Sequence, residues 1–148
     1  MSAHRRPALR LEVPSETSFL GLVRDVTRRM AEVAGFEAKV ADQVALAVDE
    51  AATNVVEHAY KGAADRVVGV EMDDAGPDFR VDILDDGAAF DPESLRSLDV
   101  KTLEKERRTG GLGVHLMGRI MDKVSFERRA QQNVCSLVKQ KKPTAADR

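Results

Sequence analysis

The sequence predicts an α+β two-layer sandwich, with helices on one face of a mainly antiparallel sheet, and three observations predict it. Two long early stretches carry apolar residues at three- and four-residue steps, the period of an amphipathic helix. Two later stretches alternate apolar with polar residues on either side of a Gly-Pro turn, the pattern of an antiparallel hairpin. A further helical run and two more strand-like runs close the chain.

The elements follow in order. A short strand is expected at Leu9 to Val13, after which Ser15 is placed to cap a helix. In that helix Phe19, Leu22, Val23, Val26, Met30 and Val33 keep helical spacing until Gly35 stops it. A second helix runs from about Glu37 to Ala59, with Val40, Val44, Ala47, Val48, Ala51 and Val55 as its apolar stripe. Val68, Val70 and Met72 alternate with polar neighbours, as do Phe79, Val81 and Ile83, and Ala75-Gly76-Pro77 forms the turn between them. Asp91-Pro92 opens a short helix through Ser94 to Leu98. Residues Asp99 to Thr109 are mostly charged and aperiodic, and read as a loop able to serve as a lid. Leu112, Leu116, Ile120 and Met121 resume helical spacing, and strands at Val124 to Arg128 and Asn133 to Val138 complete the sheet. The domain is expected to occupy residues 9–140, between an N-terminal tail at 1–8 and a disordered tail at 141–148.

Composition limits the function. A chain of 148 residues, 43% hydrophobic, builds one domain around one core. Lys plus Arg number 23 against 25 Asp plus Glu, so the net charge of −2 lacks the bulk basicity of a nucleic-acid binder. With one Tyr and no Trp, few platforms exist for stacking single-stranded bases. Basic clusters at His4-Arg5-Arg6, Arg107-Arg108 and Lys139-Gln-Lys-Lys142 read as solvating tails and loops. A single cysteine, Cys135, excludes an internal disulfide and fits a reducing compartment; it lies in a predicted strand and reads as core. No apolar run approaches the roughly 20 residues that cross a bilayer, so the chain is expected in the cytoplasm, away from membranes. Three histidines and one cysteine show no metal-ligand spacing.

Three segments carry chemistry. On the second helix, Glu50, Asn54 and Glu57 share a polar strip beside the apolar stripe. Asn has poor helix propensity, so a mid-helix Asn suggests another task, and its carbonyl oxygen suits Mg²⁺. Glu50, one turn away, is a candidate general base for a substrate hydroxyl. Asp85, in Asp85-Asp86-Gly87, can accept a hydrogen bond from an exocyclic amine such as adenine's, and Gly87 lets a base approach the backbone. Gly110-Gly111-Leu112-Gly113 precedes a helix and can turn backbone N–H groups toward an anion. Neither a Gly-x4-Gly-Lys-Ser/Thr nor a Gly-x-Gly-x-x-Gly run occurs, which sets aside a P-loop or a dinucleotide fold.

In this order the segments resemble those of the GHKL (Bergerat-fold) ATPases, and within them the RsbW-type anti-sigma-factor serine/threonine protein kinases. The resemblance runs from about Leu11 to Lys139. Leu46 to Tyr60 is similar to the N box, Asp85 to Pro92 to the first glycine box, and Thr109 to Met117 to the second. It implies that Glu50 is the general base, that Asn54 ligates Mg²⁺ bridging the ATP phosphates, and that Asp85 recognises the adenine amine beside Gly87. Thr109, Gly110, Gly111, Leu112 and Gly113 would bind the phosphates under a lid at residues 99–109. It implies as partners a STAS-domain anti-anti-sigma protein, which is phosphorylated, and a sigma factor, which is sequestered, and it suggests a homodimer. Ala89 stands where the pattern has its second glycine. No catalytic lysine is evident, so slow turnover is expected. The alternative is a non-catalytic, nucleotide-gated partner-binding module of the same fold. The catalytic piece of a histidine kinase is a third reading, but the chain has no room before the N box for a hairpin bearing a phospho-acceptor histidine.

Overall fold

The computed structural model describes residues 7–74, 76–89 and 112–141, and for 112–115 the backbone alone. The expected short helix at 91–98, the lid at 99–109, Thr109, Gly110, Gly111 and most of both tails lie outside the described residues.

Strand β1 (Leu9–Pro14) leads to helix α1 (Thr17–Val33), helix α2 (Ala38–Asn54) and a single π-helical turn (Val55–Ala59). Strands β2 (Val67–Asp73) and β3 (Asp78–Asp85) come next. Helix α3 (Leu112–Ile120) and strands β4 (Lys123–Arg129) and β5 (Gln132–Gln140) follow. The five strands form one sheet, ordered β1-β2-β3-β5-β4, in which every neighbouring pair is antiparallel.

Because strand side chains alternate between faces, the register sorts them into rows. Leu11, Val70, Ile83, Cys135 and Phe126 form one row across the sheet, and Leu9, Met72, Val81, Leu137 and Val124 the next. Both rows contribute to the core, against which the helices pack. Helix α2 buries Ala41, Val44, Ala45, Ala47, Val48, Ala51 and Ala52, small side chains that let it sit between α1 and α3. Helix α1 ends as its sequence dictates: Gly35 takes φ +106°, and the Phe36 N–H bonds back to the Ala31 carbonyl. Phe36 then meets the buried Phe79 edge-on, ring centroids 6.0 Å apart.

Three local expectations are corrected. Ser15 does not cap α1; its hydroxyl donates to the Ala63 carbonyl and accepts from the Arg66 N–H, tying the end of β1 to the segment before β2. Glu16 takes the capping position without a side-chain bond, so a longer-range bond outcompetes the local cap. The second helix reaches Ala59, but its last turn is π rather than α, closed by the Tyr60 N–H on the Val55 carbonyl. Ala59 and Tyr60, at the end of that turn, are both buried. Finally, Lys139 and Lys141 do not merely solvate: Lys139 donates to the Ile120 carbonyl at the end of α3, and Lys141 to the Asp74 carbonyl. Cys135 is core, as expected, its thiol pushed up to about 12 by burial.

Candidate functional site

Asp85 ends β3 and is 2% exposed. Register places it opposite Asn133, and Asn133 opposite Arg128, so three polar side chains form the terminal row of the sheet. Oδ1 of Asp85 accepts from the Gly87 N–H and from Asn133 Nδ2, both at 2.9 Å. Oδ2 is buried and has no partner. A buried acceptor without a donor is costly, on the order of 1–3 kcal/mol, and marks a place where a donor is due from outside. The atom is closed to water as well, so a ligand reaches it only as neighbouring groups part. Burial is the main cause raising the Asp85 pKa; the bonds from Asn133 and Gly87 oppose it.

Asp86 has the opposite environment. It is exposed, and its Oδ1 lies 2.7 Å from the Arg66 guanidinium and 3.0 Å from the Tyr60 hydroxyl. The Tyr60 oxygen also accepts from the Asp86 N–H at 3.1 Å and sits 2.6 Å from the Val67 carbonyl. Arg66 lies over the Tyr60 ring, 4.9 Å from its centroid. Arg66 first, then Tyr60, hold the Asp86 carboxyl below its ordinary range, and burial is the first cause lifting the Tyr60 hydroxyl to about 12. Asp86 is therefore tied into the turn by its own partners, whereas Asp85 Oδ2 has none.

Gly87 has a steric reason to be glycine. A Cβ there would stand 2.5 Å from the Ala59 carbonyl oxygen, because the end of the π turn presses against this loop. The N box and the first glycine box are thus in direct contact. Ala89 is exposed and is not among the residues with positive φ, so alanine fits that backbone without strain.

Glu50 and Asn54 lie one turn apart at the C-terminal end of α2, both partly exposed. The Glu50 pKa is raised, by burial first and then by the charges of Asp49 and Glu57. Glu57, expected on the same helix, stands in the π turn. Leu112 and Gly113 begin α3, where backbone N–H groups lack partners within the helix. Among the described residues no group of three His, Cys, Asp or Glu side chains is placed to hold a metal. No helix there is long and apolar enough to cross a membrane.

Sequence reasoning missed Asn133, Arg128, Tyr60 and Arg66. One signal was present: Asn133 shares the inward parity of Cys135 and Leu137, so a polar side chain falls on the core side of a strand.

Residues 13–139 match the family described as the histidine kinase-like ATPase domain. The Serine-protein kinase RsbW of Halalkalibacterium halodurans is 30% identical over 131 residues, covering 86% of this chain and 80% of that protein. The chain belongs to the RsbW-type branch of the histidine kinase-like ATPase family. The RsbW of Listeria monocytogenes is 32% identical over 120 residues, 78% of this chain and 76% of its own. Two solved structures share the fold, each at 19% identity. The SiaB-SiaC complex from Pseudomonas aeruginosa gives a TM-score of 0.60, with 90% of this chain and 89% of that one covered. The RsbU and RsbW domains of Rv1364c from Mycobacterium tuberculosis give 0.56 over 92% of this chain, which spans 33% of that longer one. The α+β sandwich and the family read from the three motifs both hold.

Proposed function

We propose that this chain is an ATP-dependent serine/threonine protein kinase that acts as a partner-switching anti-sigma regulator in the cytoplasm. It phosphorylates a STAS-domain anti-anti-sigma protein and, when that partner is absent, sequesters a sigma factor. The observation that carries the reading is the buried, partnerless Oδ2 of Asp85. An adenine amine supplies the missing donor, and membership of an ATPase family supplies the nucleotide.

Asn54 would hold Mg²⁺ through its carbonyl oxygen, with phosphate and water oxygens completing the shell. When bound, Mg²⁺ neutralises charge on the transferring phosphoryl group. Glu50 accepts the proton of the acceptor Ser or Thr hydroxyl as its oxygen bonds to the γ-phosphorus and the bond to the β-phosphate oxygen breaks, leaving ADP. The raised Glu50 pKa makes it a stronger base than an ordinary glutamate. Leu112 and Gly113, with Thr109, Gly110 and Gly111 before them, would give backbone N–H groups to the phosphates. The non-catalytic alternative leaned on Ala89; the backbone there is not among those with positive φ, so alanine needs no strained loop, and the phosphotransfer test below decides between the two readings.

The test is radiolabelled phosphotransfer from Mg-ATP to a STAS-domain protein, with wild type and Glu50→Ala compared at equal ATP occupancy. Labelling by the wild type and its loss in the variant, with partner binding kept, supports the kinase. No labelling by either leaves a binding module, and equal labelling by both keeps the kinase while removing Glu50 as its base.

A further inference from the structure

The amide of Asn133 is fully buried, and the groups on both of its sides fix which way it points. Its Nδ2 donates to Asp85 Oδ1 at 2.9 Å and to the Ala88 carbonyl at 2.7 Å. Its Oδ1 accepts from Arg128 at 3.0 Å, and the same guanidinium nitrogen reaches the Gly87 carbonyl at 2.9 Å. Turned over, the amide would set its oxygen against the Asp85 carboxylate and the Ala88 carbonyl, acceptor to acceptor. It would also face its NH₂ toward a guanidinium, which has donors only. Asp85, Ala88 and Arg128 together hold the amide in one orientation, with Arg128 as the donor to its oxygen, and the amide in turn holds the carboxylate.

The consequence falls on Asp85. With Oδ1 occupied by Gly87 and Asn133, Oδ2 is the oxygen left to a ligand, and it is presented as an acceptor. We propose that Asn133 and Arg128 are positioning residues that set base selectivity, fixing the Asp85 carboxylate so that the site takes a 6-aminopurine nucleotide and rejects a 6-oxopurine one. This rests on the ATP reading above. A 6-amino group donates to Oδ2, whereas a 6-oxo group brings a second acceptor against it, and a polar mismatch of this kind discriminates strongly. Neither residue touches the phosphates in this reading, so their effect is confined to the base.

Arg128 is the residue to change, because it lies at the exposed rim, outside the core. Calorimetric titration of the full chain with Mg-ATP and with Mg-ITP compares wild type, Arg128→Ala and Arg128→Lys, with thermal unfolding of each alongside. ATP affinity is expected to fall about tenfold in Arg128→Ala, the worth of one charge-assisted bond. ITP affinity stays near its weak wild-type value, so the ATP:ITP ratio collapses, and Arg128→Lys restores part of it. Equal weakening of both nucleotides, or an unchanged ratio, overturns the positioning role while leaving the ATP site intact. A wild type that binds neither nucleotide overturns the site reading and this inference together.

Discussion

The two ends of the site are built on opposite terms. At the Asp85 end a carboxylate is almost fully buried, and strand register fixes every donor around it. At the Glu50 end the carboxylate is partly exposed on a helix edge, with Asp49 and Glu57 as its electrostatic neighbours. Burial raises both pKa values first, but at Asp85 hydrogen bonds pull against it, while at Glu50 two like charges push further. In the proposed function, the difference separates recognition from reactivity. An acceptor for a fixed donor gains from being held still before the ligand arrives. A proton acceptor gains from crowding by other acids, which raises its affinity for the proton it must take.

The comparison breaks most visibly if the Glu50 end also governs binding. Glu50→Ala is expected to lower phosphotransfer by roughly 10²–10⁴-fold, the usual worth of a general base, while ATP affinity measured by calorimetry changes less than about twofold. Asp85→Asn should do the reverse, weakening ATP by about 10- to 100-fold, the range for a bond to a charged group. Its effect on stability has a definite sign. Asp85 has a raised folded-state pKa, so its ionisation costs stability above that pKa, and the cost vanishes as pH falls below the unfolded value. Asp85→Asn removes the charge and should hold or raise Tm at neutral pH, with the two proteins converging in acid. A Tm well below wild type at neutral pH would show that the buried charge supports the fold rather than the ligand. By the same sign, wild-type ATP binding weakens as pH falls through the raised Asp85 range, at higher pH than an exposed aspartate would set.

This contrast also explains what was readable in the chain. Apolar periodicity placed α1, α2 and the β2–β3 hairpin, because burial of one face is written into local spacing. Glu50, Asn54 and Asp85 were singled out because each lies in a contiguous motif. The supports of Asp85 were not: Asn133 comes to it through pairing of strands 48 residues apart, and Arg128 through the next strand over. The misplaced Ser15 cap has the same origin, a bond across 51 residues displacing one inside a helix turn. A local rule sees a residue's neighbours in sequence, and the base end is made of neighbours in register.

The contact between the two ends is open to a direct test. Gly87→Ala would drive a Cβ against the Ala59 carbonyl, so the first glycine box must move away from the end of the N box. Overpacking of this kind costs about 1–3 kcal/mol, read as a lower Tm, with ATP affinity falling in the same variant. An unaffected Tm would mean that the two boxes sit together without depending on each other.

Tyr60 gives the smallest and most diagnostic effect. Its single hydroxyl proton serves either Val67 or Asp86, and its oxygen accepts from the Asp86 backbone, so Tyr60→Phe removes the link between the π turn and the turn after Asp85. The loss should be about 1 kcal/mol, one ordinary hydrogen bond, followed by chemical denaturation. Its pH dependence runs opposite to that of Asp85. Asp86 has a lowered folded-state pKa, owed to Arg66 first and then to Tyr60, so its contribution is present above the unfolded pKa and is lost as pH falls through the folded one. The gap between Tyr60→Phe and wild type should therefore narrow in acid, while Asp85→Asn loses its advantage over the same descent. Two adjacent carboxylates would then show stability profiles of opposite slope, one belonging to the fold and the other to the ligand.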